Sequence, residues 1–255
     1  MENARIVEEF LLPSNGEIYD DIAVNPEVIL GSMRARHEML RLSATDESNK
    51  IMAEIIDDCL ESDLGISAYD LCLGDFQFLL FKLRIVTFGP EYELNGKCPF
   101  CGFDQQANVN LDELPIKFVP ENFNDLKTII LPNSGEEVKL TYQTPRMLDR
   151  INVKVKEYRR RHRGEDINPV ILFNILSVID TVDGEEVIPY ELEDWVLNLH
   201  LADANALINR IDEMNNAIGI DLETHEICNI CGTDYVVPFR VNNTFFRPAS
   251  WWPTV

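Results

Sequence analysis

Four of the six cysteines form two Cys-x-x-Cys pairs, a spacing at which one tight turn presents two sulfurs to the same metal ion. The pairs are Cys98 with Cys101 and Cys228 with Cys231, and a glycine follows each pair. Two such knuckles, each between short strands, build a four-thiolate zinc ribbon. Four thiolates saturate a tetrahedral ion, so the sequence predicts one structural zinc with no open position for catalysis.

Other chemistry for the same cysteines also has to be weighed. An iron–sulfur cluster uses four thiolates as well, and the sequence does not separate iron from zinc. Redox-active disulfides fit less well, because neither pair begins a helix within a strand–helix–strand pattern. His225, just before Cys228, is a candidate spare ligand, although an exposed strand histidine is the simpler interpretation. Cys59 and Cys72 lie on apolar faces and are predicted to be buried thiols.

The turns that precede the knuckles occur twice along the chain. A cluster of Pro, Asn, Ser and Gly between β-prone residues spans 12–16 and returns at 131–135, which predicts two β-hairpins. A proline follows each turn, at Pro26 and at Pro145, and proline suits the first turn of a helix. We therefore expect a helix after each hairpin.

A helix with a similar leucine spacing also occurs twice, at 73–89 and at 201–219. Asp75 and Asp203 are the predicted N-caps of these two helices, and a glycine ends each of them. The first helix is apolar nearly all round from 76 to 88, so it is predicted to be a central buried helix.

Three patterns matched in the same order predict an internal duplication, although hairpins and capped helices also recur by chance in α+β proteins. The expected fold class is α+β, a helical core with two β-hairpins and a composite four-cysteine zinc ribbon. The predicted units are a first half at 1–118, a second half at 119–247 and an aromatic tail at 248–255. Because no Gly/Ser linker separates the halves, we expect one integrated body. Further helices are predicted at 51–60, 168–180 and 192–199.

The charge balance excludes several function classes. The chain has 255 residues with 44 acidic and 22 basic side chains, a formal net charge of −22. Such acidity opposes non-specific nucleic-acid binding and docking on anionic membranes. No apolar run approaches the ~18 residues that span a bilayer, and no nucleotide-binding, metalloprotease or hydrolase motif occurs. We therefore predict neither an enzyme nor a small-molecule substrate.

Two segments contain candidate partner-binding residues. The first is a basic segment of six cations: Lys154, Lys156, Arg159, Arg160, Arg161 and Arg163. A solvated helix end is the alternative interpretation, but six cations exceed what a helix dipole needs. The second segment is the aromatic C-terminal stretch. We expect Phe245 and Phe246 to pack within the molecule, and Trp251 and Trp252 to be exposed or docked on a partner.

Several motifs together resemble a family from contractile-tailed bacteriophages. They are Leu-Pro-x-x-Gly at 12–16, Leu-Gly-Asp at 73–75, Phe-Gly-Pro-Glu-Tyr at 88–92, Cys-Pro-Phe-Cys-Gly at 98–102, Cys-Asn-Ile-Cys-Gly at 228–232 and Phe-Phe-Arg-Pro at 245–248. In these motifs the chain is similar to the baseplate hub and hub-assembly proteins of T4-like phages. The similarity covers most of the chain. It carries over the four cysteine positions and no catalytic residue.

The resemblance implies a non-enzymatic tail protein that acts in assembly of the baseplate central hub, as an assembly chaperone or as a hub subunit. Its partners would be other baseplate hub or tape-measure proteins, without nucleic acid, membrane or small-molecule ligand. It would act in the host bacterial cytoplasm during assembly, and a hub subunit would also be found in the virion baseplate. The N-terminal residues have no signal-peptide pattern, which agrees with that location.

A zinc-ribbon regulatory or adaptor protein of transcription or replication is the alternative. That class is expected to have a basic ribbon face, yet acidic residues flank the knuckles: Asp104, Asp221, Glu223, Glu226 and Asp234. A redox enzyme is a third class, and it needs at least one reactive, exposed thiolate. Thiol titration of the metal-loaded protein separates this class, because unlabelled knuckle cysteines would argue against redox chemistry.

Overall fold

The computed structural model describes residues 6–20, 22–43, 47–163, 168–186, 188–239 and 245–246. Within these ranges the fold mixes α-helices with small antiparallel sheets. The α-helices are α1 (Ala35–Arg41), α2 (Ser48–Cys59), α3 (Leu73–Phe88), α4 (Phe123–Leu126), α5 (Pro145–Arg161), α6 (Val170–Val178), α7 (Pro189–Asn198) and α8 (Leu201–Asn216). The strands are β1 (Val7–Leu11), β2 (Glu27–Gly31), β3 (Glu91–Lys97), β4 (Asp104–Asn110), β5 (Ile116–Lys117), β6 (Thr128–Ile130), β7 (Glu137–Leu140), β8 (Ile179–Val182), β9 (Gly219–Ile220), β10 (Glu223–Ile227) and β11 (Asp234–Pro238).

The sheets are short and separate. β1 pairs with β2, β3 with β4 and β10 with β11, while β6, β7 and β8 form a three-stranded sheet. β5 pairs with β9, so this ladder joins residues that lie far apart in the sequence, with Ile116 opposite Ile220. The β5–β9 ladder therefore links the two predicted halves through backbone hydrogen bonds.

Helix α3 is the central buried element, as the sequence predicts. From Gly74 to Val86 every residue except Gln77 is buried, because the helix is apolar on nearly every side. Gly89 ends the helix with φ +85°, a conformation that residues with a side chain rarely adopt. No helix in the part of the chain that the structure describes is long and apolar enough to cross a membrane.

A buried arginine near the end of α3 holds the segment that follows the second knuckle. Arg84 is only 1% exposed. Its guanidinium donates to the carbonyl oxygens of Gly89 at 2.6 Å, Glu91 at 3.1 Å and Phe245 at 2.8 Å. Desolvation lowers the pKa of Arg84, and these carbonyl acceptors take the place of water around the cation. Phe245 and Phe246 are buried beside it, as expected from the sequence.

One hydrophobic cluster includes residues from both predicted halves. Tyr19 packs edge-on against Tyr142 with ring centroids 5.3 Å apart. Polar contacts cross between the halves as well. Asp149 of α5 accepts hydrogen bonds from the backbone N–H of Lys50 at 2.9 Å and from the Tyr69 hydroxyl at 3.0 Å. Apolar and polar groups thus hold α2, α3 and α5 together.

The first hairpin was predicted to have a tight turn between its strands, and that prediction is wrong. β1 ends at Leu11 and β2 begins at Glu27, so a long loop joins these paired strands. The loop cannot be a simple tight turn because Ile18 and Tyr19, at 1% exposure, are part of the core. Pro26 precedes strand β2 instead of a helix, whereas Pro145 begins α5 as predicted. The second hairpin, β6 with β7, forms around its predicted turn.

The predicted N-caps are wrong by three residues. Asp75 is the third residue of α3, and its N-cap is Cys72. Asp203 is the third residue of α8, which begins after His200. The two aspartates bind the Pro-containing turns instead of capping their own helices. A cap is a local pattern, whereas these turns lie some 60 to 70 residues away in the chain.

Each turn is therefore anchored on the start of a helix, and we call each such contact a turn–helix junction. In the first junction, Asp75 accepts from the Ser14 N–H at 2.9 Å and from the Ser14 hydroxyl. In the second junction, Asp203 accepts from the N–H groups of Asn133 at 2.7 Å and Ser134 at 3.2 Å. The same chemical contact thus recurs, each time between a turn and a helix that comes later in the chain.

Candidate metal centre

The two Cys-x-x-Cys segments fold into matching knuckles. In the first, the Cys98 N–H donates to the Phe103 carbonyl at 2.9 Å, and the Gly102 N–H donates to the Cys98 carbonyl at 2.9 Å. The equivalent bonds at Cys228 measure 3.0 and 2.9 Å. Gly102 and Gly232 have φ of +74° and +70°, so the turn conformation requires the glycine that follows each pair.

The four predicted ligands converge on one point. Their sulfur atoms all lie within 4.8 Å of one another. The Cys98 and Cys231 sulfurs are 3.7 Å apart, and those of Cys101 and Cys228 are 3.5 Å apart. A tetrahedral zinc with bonds of ~2.3 Å places its sulfurs about 3.8 Å apart. A disulfide would need about 2.05 Å, and all four cysteines are free thiols. The donor set therefore fits one tetrahedral ion.

Two hairpins carry the knuckles and contact each other, and we call this pair of hairpins the composite ribbon. β3 and β4 flank the first knuckle, and β10 and β11 flank the second. A Cβ atom at Gly96 of β3 would lie 3.0 Å from a methyl carbon of Val237 on β11, so glycine permits this close approach. The ribbon brings together sulfurs that are far apart in the sequence.

Gln105 connects the two knuckles and was missed in the sequence. Its side chain donates to the Ile227 carbonyl at 3.2 Å and accepts from the Asn229 N–H at 3.0 Å. Gln105 is buried, in alternation with Ala107 and Val109 on β4. That period-two pattern is the sequence signal that could have identified it, because it places Gln105 on the inward face of the strand.

The thiols of Cys101, Cys228 and Cys231 differ in pKa. Hydrogen bonds from Thr233 lower the pKa of Cys231 to about 6, and backbone N–H groups of the same knuckle lower the pKa of Cys228. For Cys101, the Phe103 N–H lowers the pKa, but desolvation and the other sulfurs outweigh it and raise the pKa to about 12. A bound dication would outweigh the effects that raise the pKa of Cys101, since it stabilises every thiolate that binds it.

His225 and the two other cysteines lie outside the four-sulfur group. His225 lies on the exposed part of β10 with its Nδ1 3.4 Å from a carboxylate oxygen of Asp234, and it is outside the four-sulfur group. Cys59 and Cys72 are buried, as expected. Asp104 and Asp234 lie next to the two knuckles with their side chains toward solvent, so the ribbon face is acidic as the sequence indicates.

The candidate partner-binding arginines are exposed on the surface. Arg159, Arg160 and Arg161 belong to the last turn of α5, and Arg163 lies just beyond it. One of them, Arg161, has its guanidinium 3.8 Å from Glu157 and is 72% exposed. Such a pair contributes little to stability. Trp251 and Trp252 lie outside the described residues, so their prediction stays a prediction.

A comparison with protein-family models identifies the group to which this chain is related. The model described as T4 bacteriophage base plate protein matches residues 13–247. The chain belongs to this base plate protein family. The matched range contains both turn–helix junctions, both knuckles and the basic segment, but not Trp251 and Trp252. Neither a curated protein nor a solved structure matches the chain.

Membership in the base plate family confirms the resemblance inferred from the motifs. It identifies the chain as a phage baseplate protein, and it gives no support to a transcription or replication adaptor. Because a baseplate is built of interacting proteins, family membership also indicates other phage structural proteins as the class of partner.

Proposed function

We propose that this protein acts in assembly of the central hub of the baseplate, as an assembly chaperone or as a hub subunit. It works by binding other hub or tape-measure proteins and not by catalysis. One structural zinc bound by Cys98, Cys101, Cys228 and Cys231 stabilises it. The convergence of these four sulfurs, in a chain of the base plate family, is the observation that supports the proposal most.

The chemistry of the donor set favours a structural role for the metal. Four thiolates fill the coordination sphere of a tetrahedral ion, and no ligand position remains for a substrate or water. Cys98 and Cys228 are each 1% exposed, as expected for sulfurs that bind an ion, whereas Cys101 and Cys231 are exposed. Labelling of Cys101 or Cys231 in the metal-loaded protein would favour redox chemistry instead. An iron centre with the same ligands is the second candidate, and metal analysis distinguishes the two.

We also propose that the chain arose by internal duplication, with halves at 1–118 and 119–247 and a tail at 248–255. Two independent observations support this. The turn–helix junctions repeat the same carboxylate-to-turn contact, and the knuckles repeat the same backbone hydrogen bonds. Each half then supplies one knuckle, and the ion joins the two halves.

The basic segment, with Arg159, Arg160, Arg161 and Arg163, is the surface that we propose for capture of an acidic partner. Its position on the last turn of α5 makes it accessible, and the rest of the chain is strongly acidic. Trp251 and Trp252 are proposed as a second contact with a partner. Tryptophan is favoured at the centre of protein interfaces, which supports that assignment.

Co-purification of the tagged chain from infected cells, followed by mass spectrometry of the complex and of mature virions, tests the proposed function. We expect hub or tape-measure proteins in the complex. Presence of the chain in virions would identify a hub subunit, and its absence an assembly chaperone. Recovery with transcription or replication proteins instead would overturn the proposal in favour of the adaptor class.

The contribution of the basic segment is tested in the same complex. Reversal of Arg159, Arg160 and Arg161 to Glu should leave the fold intact and weaken binding most strongly at low salt, because exposed charges are screened as salt increases. Lys50→Glu with Lys139→Glu is the control for Arg159→Glu with Arg160→Glu, because the two double variants change the net charge equally. Binding of the triple variant that equals wild type at low and moderate salt would remove this segment from the interface.

A further inference from the structure

The second turn–helix junction opens onto a groove. The groove has a volume of about 770 Å³ and lies between the turn at 131–135, helix α7 and the start of α8. Asn133, Ser134 and Asp203, which make the junction contact, belong to its lining. The contact that anchors the turn therefore also builds one side of the groove.

The chain itself covers the corresponding part of the first junction. There the Val119 N–H donates to the Pro13 carbonyl at 2.9 Å, and the backbone at Ile218 packs on the start of α3. The matching residues of the second junction, Pro132 and Ala202, are exposed. Within the described part of the chain, no backbone N–H donates to the Pro132 carbonyl. The second junction thus lacks the covering segment that the first one has.

Two aromatic side chains of α7 line the groove. Trp195 is half-buried against the core, and its indole N–H donates to a carboxylate oxygen of Glu136 at 3.2 Å. This hydrogen bond holds the indole against the turn. Tyr190 is 82% exposed. Tryptophan and tyrosine are the side chains most often found at the centre of protein interfaces, and their rings also attract cations.

Three carboxylates stand beside these rings: Glu136, Glu191 and Asp194. Among the described residues that line the groove there is no lysine or arginine. The groove therefore combines negative charge with aromatic surface. An arginine fits both, because its guanidinium pairs with carboxylates and stacks on aromatic rings, and a lysine fits less closely.

We propose that this groove binds an extended segment of a partner protein, which inserts an arginine or lysine side chain between the carboxylates and the aromatic rings. A backbone N–H of the segment donates to the Pro132 carbonyl, as the Val119 N–H does to Pro13 in the first junction. The inference rests on the proposed binding of hub or tape-measure proteins, and it adds the chemistry by which one of them is recognised. The groove is a second surface, opposite in charge to the basic segment.

Photocrosslinking from the groove tests the inference in infected cells. The tagged full chain, with p-benzoylphenylalanine in place of Tyr190, should crosslink to a hub or tape-measure protein. Mass spectrometry after chymotryptic digestion should find an arginine or lysine next to the crosslinked residue of that protein. The control has the same crosslinker in place of Met39 on α1, which is 75% exposed and outside the groove, and it should not give this crosslink.

A charge reversal measures the contribution of the carboxylates. Glu191→Lys with Asp194→Lys should lower recovery of the partner about tenfold. Glu193→Lys with Asp212→Lys should recover the wild-type amount, because it changes the net charge equally at exposed positions outside the lining. Circular dichroism checks that both double variants are folded. If the groove variant does not fold, the crosslink decides.

Three results would overturn the inference and leave the proposed function standing, because the wild-type complex would still form. They are a crosslink to a segment without arginine or lysine, a crosslink to a second copy of this chain, and wild-type recovery of the partner by the folded groove variant. Absence of any crosslink from position 190 in a complex that forms would count in the same way. A wild-type chain that recovers no hub or tape-measure protein would overturn both proposals.

Discussion

The two turn–helix junctions share one contact, made by a buried aspartate at the start of a helix, and differ in the burial of the turn that it binds. In the first, Pro13 and Ser14 are buried, and the Pro13 carbonyl accepts from the Val119 N–H at 2.9 Å. In the second, residues 132–135 are exposed. Asp75 also accepts from the Tyr19 hydroxyl at 2.6 Å, a donor that the turn itself does not supply. The first junction is thus an interior polar network, whereas in the second the carboxylate of Asp203 is buried, at 1% exposure, and only the turn that it binds lies at the surface.

The residue that precedes each aspartate also differs between the two junctions. Gly74 precedes Asp75, and a Cβ atom there would lie 2.4 Å from the carbonyl oxygen of Ile218, so the backbone before β9 packs directly on the start of α3. Ala202 has the matching position before Asp203, and it is exposed. The comparison teaches that the carboxylate-to-turn contact does not depend on burial of the turn. Burial decides how much its loss should cost.

Removal of the metal should produce the largest difference in deuterium exchange between the two junctions. β5 and β9, which cover the first junction, lie close in sequence to the strands β4 and β10 that carry the knuckles, so we expect loss of the ion to release them. Structural zinc contributes about 10–16 kcal/mol in small peptides, against about 5–15 kcal/mol for the stability of a whole domain. With chelator or in Cys98→Ser, deuterium exchange should rise sharply at 115–120 and much less at 131–135.

The matched control for that experiment is Cys59→Ala, which should cost only core-packing energy and leave the metal content unchanged. Elemental analysis belongs to the same experiment. Freshly purified wild-type protein with less than half an equivalent of zinc or iron would contradict the metal site itself. Equal exchange changes at both junctions would contradict the proposed link between the ion and the cover of the first junction.

Alanine substitution of the two aspartates should give the next largest difference. Asp75→Ala leaves the Ser14 N–H, the Ser14 hydroxyl and the Tyr19 hydroxyl without their acceptor inside the protein, which should cost about 3–5 kcal/mol. Asp203→Ala removes a buried carboxylate, but the two N–H groups that it binds belong to an exposed turn where water can replace it, so about 1 kcal/mol is expected. Urea unfolding measures both, and equal losses would argue that the two junctions are energetically alike.

Exchange of the small residues between the junctions should have a smaller effect. Gly74→Ala forces a methyl group against the backbone at Ile218, and overpacking of this kind costs about 1–3 kcal/mol. Ala202→Gly removes an exposed methyl group near a helix start and should cost at most about 1 kcal/mol. Thermal unfolding of the two variants provides the measurement. A more damaging Ala202→Gly would contradict the assignment of the packed and open junctions.

The pH dependence of Asp75 should be the smallest effect. Desolvation raises the pKa of Asp75, although hydrogen bonds from Ser14 and Tyr19 oppose the shift. A raised folded-state pKa stabilises the protein below the unfolded pKa of about 3.9, and this contribution is lost as pH rises through the folded value. Relative to Asp75→Asn, wild type should therefore gain stability as pH falls from about 7 toward about 4. An opposite slope in urea titrations would reverse the sign that we assign.

The sequence predicts those features whose signal is local or whose chemistry needs particular residues. The all-round apolar pattern of α3 predicts its burial, and the spacing of the cysteines predicts the ligand set. Contacts between distant segments leave weaker marks. Asp75 and Asp203 have the appearance of caps because a cap is a local pattern, whereas their turns lie far away in the chain. Pro26 suits a helix start, yet its neighbours Val28 and Leu30 alternate inward as a strand.

Gln105 is a missed residue of the same kind. It contacts the opposite hairpin, so its role exists only after two strands that are distant in sequence have packed together. Strand periodicity indicates that Gln105 faces inward, but it does not indicate what the side chain contacts there.

The contacts of Arg84 with three backbone carbonyls also limit how far the C-terminal segment can reach. Since Arg84 holds Phe245 against the end of α3, the chain beyond Phe246 starts from a fixed point on the molecule. Trp252 follows Phe246 by six residues, and an extended chain advances at most ~3.6 Å per residue. The α-carbon of Trp252 therefore lies within about 22 Å of that point, whatever path the chain takes. A partner that binds the two indoles has to present its site inside this radius, so Arg84 limits how far from the end of α3 that contact can be made.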